Sequence, residues 1–224
     1  MGDLLPTLRT TGAVRRFTGE AVTDAAVHQI LDDARFAPSG GNRQPWRVAV
    51  VVDPAIRRRL AALMQPVWDE YIARGQLGVT PFNAVDDVTP DEAPHVDNEL
   101  LDNIEAVPVV LAVAADLRKI ALMDGDLERA PVTAGASIYP FCWSILLSAA
   151  SRGLGGVMTT FLSRVEPDAA PELGLPRQHA LAATIFLGVP EHRSTKLRRD
   201  DVETFTTVDR FDGEAFSPPA FAPS

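Results

Sequence analysis

Apolar and polar positions along the chain change period several times, and each change marks an element. Val27, Ile30, Leu31 and Ala34 recur at helical spacing behind Thr23, a good N-cap residue, so a helix is expected over 24–36. From Trp46 the run R-V-A-V-V-V is continuous rather than periodic, which predicts a buried strand. Asp53-Pro54 then supplies a cap and a first-turn proline for a helix with Leu60, Leu63, Met64 and Val67 on one face. The Arg57-Arg58-Arg59 run within it reads as a solvated face. A short helix fits 3–10 and another 98–105, and P-V-V-L-A-V-A-A is a second buried strand ending at Asp116. The strongest core helix runs from Ser137 to Arg152, with Gly153 as its stop. A glycine-rich turn, G-L-G-G, then leads into the short strand V-M-T-T-F. Pro167 starts another helix, and L-A-A-T-I-F-L-G-V-P is the last main strand.

Two stretches lack a period. Between about 75 and 96 the chain is prolines, glycine and acids, and loops of that length in a compact domain are commonly lids or disordered. Phe82 lies within it, to be presented to a substrate or to anchor the lid on the core. From about 202 to 224 the tail holds Phe205, Phe211, Phe216 and Phe221, too apolar for a free tail and too irregular for a core of its own. A neighbouring subunit is its expected surface. Asp124-Gly125-Asp126 has the look of a metal loop, but no acids follow at the required spacing, so it reads as a turn.

Composition narrows the function classes. The 224 residues form one domain by default, 1–224, with 46% hydrophobic and 23% charged residues and no apolar run of membrane length. The net charge of −9 argues against nucleic acid or an anionic lipid surface as partner. Cys142, the single cysteine, excludes an intramolecular disulfide and reads as a buried small hydrophobe. The start M-G-D-L-L-P has no basic region followed by an apolar core, so a cytoplasmic location is expected. His28, His95, His179 and His192 fall at unrelated positions and read as surface residues.

The candidate chemistry centres on Ala37 to Trp46, A-P-S-G-G-N-R-Q-P-W, a loop between a helix and a strand. Two glycines allow close backbone approach, and Ser39, Asn42 and Gln44 offer neutral hydrogen-bonding groups suited to a planar polar ring. This segment resembles the signature of the FMN-dependent nitroreductase family, in which A-P-S is followed by an Asn and then Q-P-W. T-T-G-A-V-R-R-F from Thr10 is a partial match to that family's R-R-S-x-R-x-F: Arg15 and Phe17 fit, while Thr11, Gly12 and Ala13 replace Arg, a basic residue and Ser. The G-L-G-G-V-M-T-T segment is similar to the family's flavin-flanking strand, and Lys196-Leu197-Arg198 to its late phosphate-binding K-x-R.

The resemblance implies an α+β three-layer sandwich, a central mixed β-sheet flanked by helices, with the C-terminal tail wrapping a partner subunit. It implies a homodimer with FMN at the interface and NADH or NADPH as reductant, passing hydride by ping-pong exchange to nitroaromatics, quinones or similar acceptors. The implied cofactor residues are Arg9, Arg15, Pro38, Ser39, Gly40, Asn42, Gln44, Met158, Thr159, Thr160, Lys196 and Arg198, with Phe82 toward substrate. No metal is implied, and no protein residue is a dedicated catalytic group because the hydride passes through the flavin. The alternatives are a flavoenzyme of the same fold that dehydrogenates small molecules or removes substituents reductively, a non-enzymatic flavin carrier or sensor, and a deazaflavin-type cofactor.

Overall fold

The computed structural model describes residues 4–193 and 196–217 and divides into two compact units, 1–194 and 195–224. In the first unit, β1 (Trp46–Val50), β2 (Val109–Asp116), β3 (Gly155–Thr159) and β4 (His179–Gly188) form one sheet in the order β1-β2-β4-β3. All three strand pairings are antiparallel. The parallel character expected of the sheet rests on one isolated bridge, Ala13 to Gly156.

β2 is buried over its whole length because the pleat sends alternate residues to two covered faces. Val109, Leu111, Val113 and Ala115 meet α2 (Asp24–Ala34) and α5 (Tyr139–Ser151) in a core built with Val27, Ile30, Phe141 and Ile145. Val110, Ala112 and Ala114 share a second core with Leu60 and Met64 of α3 (Pro54–Gln76) and Leu101 of α4 (Glu99–Asp102). Leu162 of α6 (Phe161–Arg164) and Ala169 of α7 (Glu166–Leu173) belong to that same second core. The result is helices, sheet, helices, as expected. The short α1 (Leu4–Thr10) buries nothing. No described helix is long and apolar enough to cross a membrane.

Local chemistry fixes most boundaries. Thr23 Oγ1 accepts from the Ala26 N–H at 3.2 Å, and Asp53 Oδ1 from the Ala55 N–H at 2.7 Å with Pro54 in the first turn. α2 ends at Ala34, two residues short of the expected end, and the Arg35 guanidinium lies 4.5 Å from the centroid of the exposed Phe36 ring. The core helix starts at Tyr139 rather than Ser137, after a 3₁₀ turn over Thr133–Ser137. The helix expected over 98–105 is α4 plus a 3₁₀ turn, Ile104–Ala106.

Three expectations need correction. β1 is an edge strand with Arg47, Ala49 and Val50 exposed, since it has one neighbour and its outer face is uncovered in a single chain. Arg57 is buried rather than solvated: its guanidinium donates to Val51 O at 2.8 Å, Glu105 O at 3.1 Å and Val107 O at 2.7 Å, capping chain ends that no strand satisfies. Arg58 and Arg59 keep to the surface, paired with Glu105 and Glu172. His179 is buried at the start of β4 opposite Asp116, not exposed.

The aperiodic stretch after α3 is tied to that helix at two points. Val96 donates its N–H to Asp69 Oδ1 at 3.0 Å, and its carbonyl accepts from Gln65 Nε2 at 2.9 Å and Trp68 Nε1 at 3.0 Å. Arg74, 2% exposed, donates to Val88 O at 2.8 Å and pairs with Glu70 at 2.5 Å and with Asp87. In the second unit, a 3₁₀ turn at Val202–Thr204 precedes a bridge between Thr207 and Ala215, with Arg210 paired to Asp212. Phe205, Phe211 and Phe216 are exposed, and Phe221 lies outside the described residues.

Replacing Arg57 tests the corrected role. Arg57→Met keeps the stem and strands three carbonyls, and losing hydrogen bonds to buried partners costs about 2–3 kcal/mol. Urea unfolding of the variant should show a lower midpoint at unchanged slope, with Arg58→Met close to wild type.

Candidate functional site

Past α1, residues 11–18 run along the β3 edge of the sheet and across the end of β4. Val14 donates to Gly156 O at 2.9 Å, Thr18 to Val189 O at 2.9 Å, and Arg16 O accepts from the Glu191 N–H at 3.2 Å. Gly156 lets β3 close on β4: a Cβ there would lie 2.5 Å from both the Phe186 carbonyl oxygen and a Leu187 methyl. At Gly155 a Cβ would meet Val14 at 2.7 Å. The G-L-G-G turn is therefore a seat for the N-terminal segment.

That seating delivers Arg15 to a cavity of about 280 Å³ at the end of β3, where Met158, Thr159 and Thr160 also line the wall. Asn98, at the N-cap of α4, joins them. Trp68 and Tyr71, one turn apart on α3, and Phe161 at the start of α6 supply aromatic walls, with ring centroids 6.0–6.2 Å apart in all three pairs. Thr159 Oγ1 is buried and has no hydrogen-bond partner among the described residues. A buried unpaired hydroxyl is costly, and one on a cavity wall is a natural place for a polar ligand atom.

A second cavity of about 350 Å³ shares Tyr71, Thr160 and Phe161 with the first and adds Val67, Pro81, Phe82 and Arg164. Phe82 sits at φ +54°, a strained value for an aromatic residue, with its ring centroid 4.4 Å from the Arg74 guanidinium carbon and 5.1 Å from that of Arg164. A third cavity, about 270 Å³, lies on the other side of Arg15 and is lined by Arg16, Phe17, Glu99, Asn103 and Glu191 among others.

The loop from Ala37 to Trp46 is elsewhere: none of its residues lines these three cavities. Its ends are fixed by burial of Ala37 and Pro45, while Pro38, Gly40, Asn42 and Gln44 are exposed and Ser39 half-buried. Ser39 Oγ accepts from the Gln44 N–H at 3.0 Å, and Gln44 Nε2 donates to Asn42 Oδ1 at 3.1 Å. Asn42 and Gln44 hold φ of +52° and +48°, strain that two non-glycine residues rarely carry together. The loop is propped from outside, because the Gly40 N–H donates to Ser137 Oγ at 3.0 Å. Ser137 closes the 3₁₀ turn that begins at Thr133, and Asp124 in turn anchors Thr133. Its carboxylate accepts from Thr133 Oγ1 at 2.5 Å, the Val132 N–H at 2.8 Å and Arg129 at 2.7 Å. These bonds, led by that of Thr133, hold its pKa well below the carboxylate range, so Asp124 is a structural clasp.

Of the other sequence candidates, Arg9 is exposed on α1 and lines none of the three cavities. Lys196 and Arg198 are exposed in the second unit. Burial pushes the Cys142 thiol up to about 12, which fits a packing role. Sequence reasoning missed Trp68, Tyr71, Asn98, Phe161 and Arg164. The i, i+3 aromatic pair on α3 was the available signal.

A model described as the Nitroreductase family matches residues 8–189. A protein named NADH dehydrogenase from Thermus thermophilus is 29% identical over 182 residues, covering 80% of this chain and 82% of the relative. Nitrobenzene nitroreductase from Ectopseudomonas oleovorans is 28% identical over 228 residues, covering 89% and 94%. Among solved structures, the NADPH:FMN oxidoreductase from Vibrio harveyi complexed with NAD⁺ superposes with a TM-score of 0.68 at 18% identity, covering 94% of this chain and 79% of that one.

The Asp124 clasp has a pH signature. A carboxyl whose pKa is depressed by folding contributes stability in full above its ordinary value of about 3.9, and that contribution is lost as pH falls below it. Asp124→Asn should therefore unfold at lower urea than wild type at pH 7, and the gap should narrow progressively below about pH 4, as the unfolded carboxyl takes up a proton that the folded one binds only at lower pH. A gap independent of pH would remove the charge from the explanation.

Proposed function

The chain belongs to the nitroreductase family, and from that premise we propose that it is a homodimeric FMN-dependent oxidoreductase. It uses NADH or NADPH to reduce nitroaromatic, quinone or similar electron-poor acceptors, which take turns with the nicotinamide at one cavity. The observation that carries this reading is the cavity itself, lined between aromatic walls by Arg15 and by Thr159, whose buried hydroxyl has no partner among the described residues. The names of the nitrobenzene nitroreductase and the NADPH:FMN oxidoreductase to which the chain is similar support the choice of reaction and reductant.

The residues present fit a flavin: a cation, an unsatisfied hydroxyl and rings that exclude water suit a planar, polar-edged heterocycle. FMN, when bound, supplies the ability to take a hydride from a nicotinamide and pass it to a second substrate. Arg15 would place positive charge where electron density accumulates, which lowers the cost of reduction. Met158, Thr159 and Thr160 would flank the ring, with Thr159 Oγ1 gaining the partner it lacks. Trp68, Tyr71 and Phe161 keep bulk water from the face where substrates stack.

Pro38, Ser39, Gly40, Asn42 and Gln44 lie away from that cavity, which supports their donation to the flavin site of a second copy. Lys196 and Arg198, two residues apart, would hold the cofactor phosphate, in fork geometry at the arginine. The exposed rings of Phe205, Phe211 and Phe216 support docking of the tail on the partner, since each buried ring is worth roughly 1.5–3 kcal/mol.

The purified protein should be yellow and should oxidise NADH or NADPH only when nitrobenzene or a quinone is supplied. A colourless protein that gains no flavin from excess FMN sinks the reading, and a yellow one without acceptor-dependent turnover makes it a carrier. Lys196→Ala with Arg198→Ala should weaken FMN by roughly ten- to hundred-fold and leave riboflavin nearly unchanged, from the usual worth of a charge-assisted hydrogen bond. Equal loss of both flavins would deny the pair a phosphate role. Truncation after Asp201 should lower the dimer fraction in sedimentation and the bound flavin together; a full-strength yellow dimer would show the tail does neither.

A further inference from the structure

Arg164 ends α6, one helical turn beyond Thr160, and so stands on the wall of the outer cavity that adjoins the proposed flavin site. It shares the Phe82 ring with Arg74, yet the two cations are in opposite circumstances. Arg74 is buried and spent: Glu70, Asp87 and the Val88 carbonyl take its donors. Arg164 is held by the ring alone, its guanidinium making no hydrogen bond or ion pair among the described residues. A cation–π contact fixes the plane of a guanidinium without consuming any of its five N–H donors. Phe82 adopts a left-handed backbone at φ +54° while lying beneath both cations, and such strain clusters where geometry is functional. Glu70 and Asp87 are already committed to Arg74, so Arg164 brings unmatched positive charge to this wall.

Resting on the oxidoreductase reading above, we propose that Arg164 is a specificity residue for the acceptor. It takes an anionic substituent, a carboxylate foremost, on an aromatic acceptor whose ring lies in the outer cavity against Tyr71 and Phe161, beside the proposed flavin site. Tyr71, Thr160 and Phe161 line both cavities, so an acceptor in the outer one lies next to the flavin proposed for the inner one. A guanidinium with free donors matches a carboxylate in paired hydrogen bonds. A neutral nitroaromatic finds the same walls and no partner for the cation.

The test compares kcat/KM for 4-nitrobenzoate and nitrobenzene in the FMN-loaded enzyme, its Arg164→Gln variant and its Arg164→Lys variant. Wild type should favour the carboxylate, Arg164→Gln should cut the ratio of the two values about ten-fold, and Arg164→Lys should restore part of it. Calorimetry with 4-methylbenzoate, which is not reduced, should show binding to the protein as purified that weakens about ten-fold in Arg164→Gln. An unchanged ratio with unchanged 4-methylbenzoate binding overturns the proposal while nitrobenzene turnover leaves the functional reading standing. A rise confined to the KM for NADH or NADPH also overturns it, by giving Arg164 to the reductant. A protein that neither binds FMN nor reduces nitrobenzene sinks the functional reading, and the proposal with it.

Discussion

The absence of a side chain at Gly156 is the constraint on which the site depends. Any Cβ there would press into the Phe186 carbonyl and Leu187 at 2.5 Å, so a larger residue would have to push β3 away from β4. The same glycine accepts from Val14 through its carbonyl and bridges Ala13, so it fixes the segment carrying Arg15 against the sheet edge. Gly188 repeats the arrangement one strand over, where a Cβ would meet Phe17 at 2.9 Å. Arg15 lies between these two contacts and has little freedom in where its backbone sits. A cation on an exposed segment is thereby placed by packing, at no cost in buried charge.

Everything else around the cavity is a consequence of layering. β3 is the far edge of the sheet, so its C-terminal residues open onto the space between α3 and α6. α3 must cover the whole second face of β2, and its length carries Trp68 and Tyr71 past the core to the cavity wall. The chain after α3 cannot swing freely because Asp69, Gln65 and Trp68 hold Val96, while Arg74 holds Val88. The stretch expected to act as a lid is tied to α3 at Val88 and at Val96, and Phe82 lies in the span before the first of these tethers.

The layers were legible in the sequence because burial leaves a periodic trace. α2, α3, α5 and β2 were all visible in that way, and caps such as Thr23 and Asp53 wrote their own boundaries. β1 misled because R-V-A-V-V-V has the apolar run of a central strand, and sequence cannot show that one side has no neighbour. Arg57 misled for the opposite reason: among three arginines in a row only the fold decides which points at unsatisfied carbonyls. Arg15 and Met158–Thr160 were read from a resemblance, and the structure brings them to one cavity. Trp68, Tyr71 and Arg164 were not read, since their meeting depends on the crossing of α3 and α6, which no local pattern encodes.

The strain in the Ala37–Trp46 loop bears on why a second copy belongs in the functional reading. Asn42 and Gln44 at positive φ cost free energy that burial among the described residues does not recover, for both side chains are exposed and bonded chiefly to each other. The fold nevertheless invests in this shape: Ser137 holds Gly40, the Asp124 clasp holds the turn that carries Ser137, and Trp46 stacks on Phe141 at 4.7 Å and 2° to fix the exit. β1, which the loop feeds, is exposed on its outer edge. A loop rigidly prepared yet facing outward supports the proposal of a ligand that arrives with a partner. On that reading each chain supplies the Arg15 side of one site and the Ser39–Gln44 side of the other, and neither half binds a flavin securely alone.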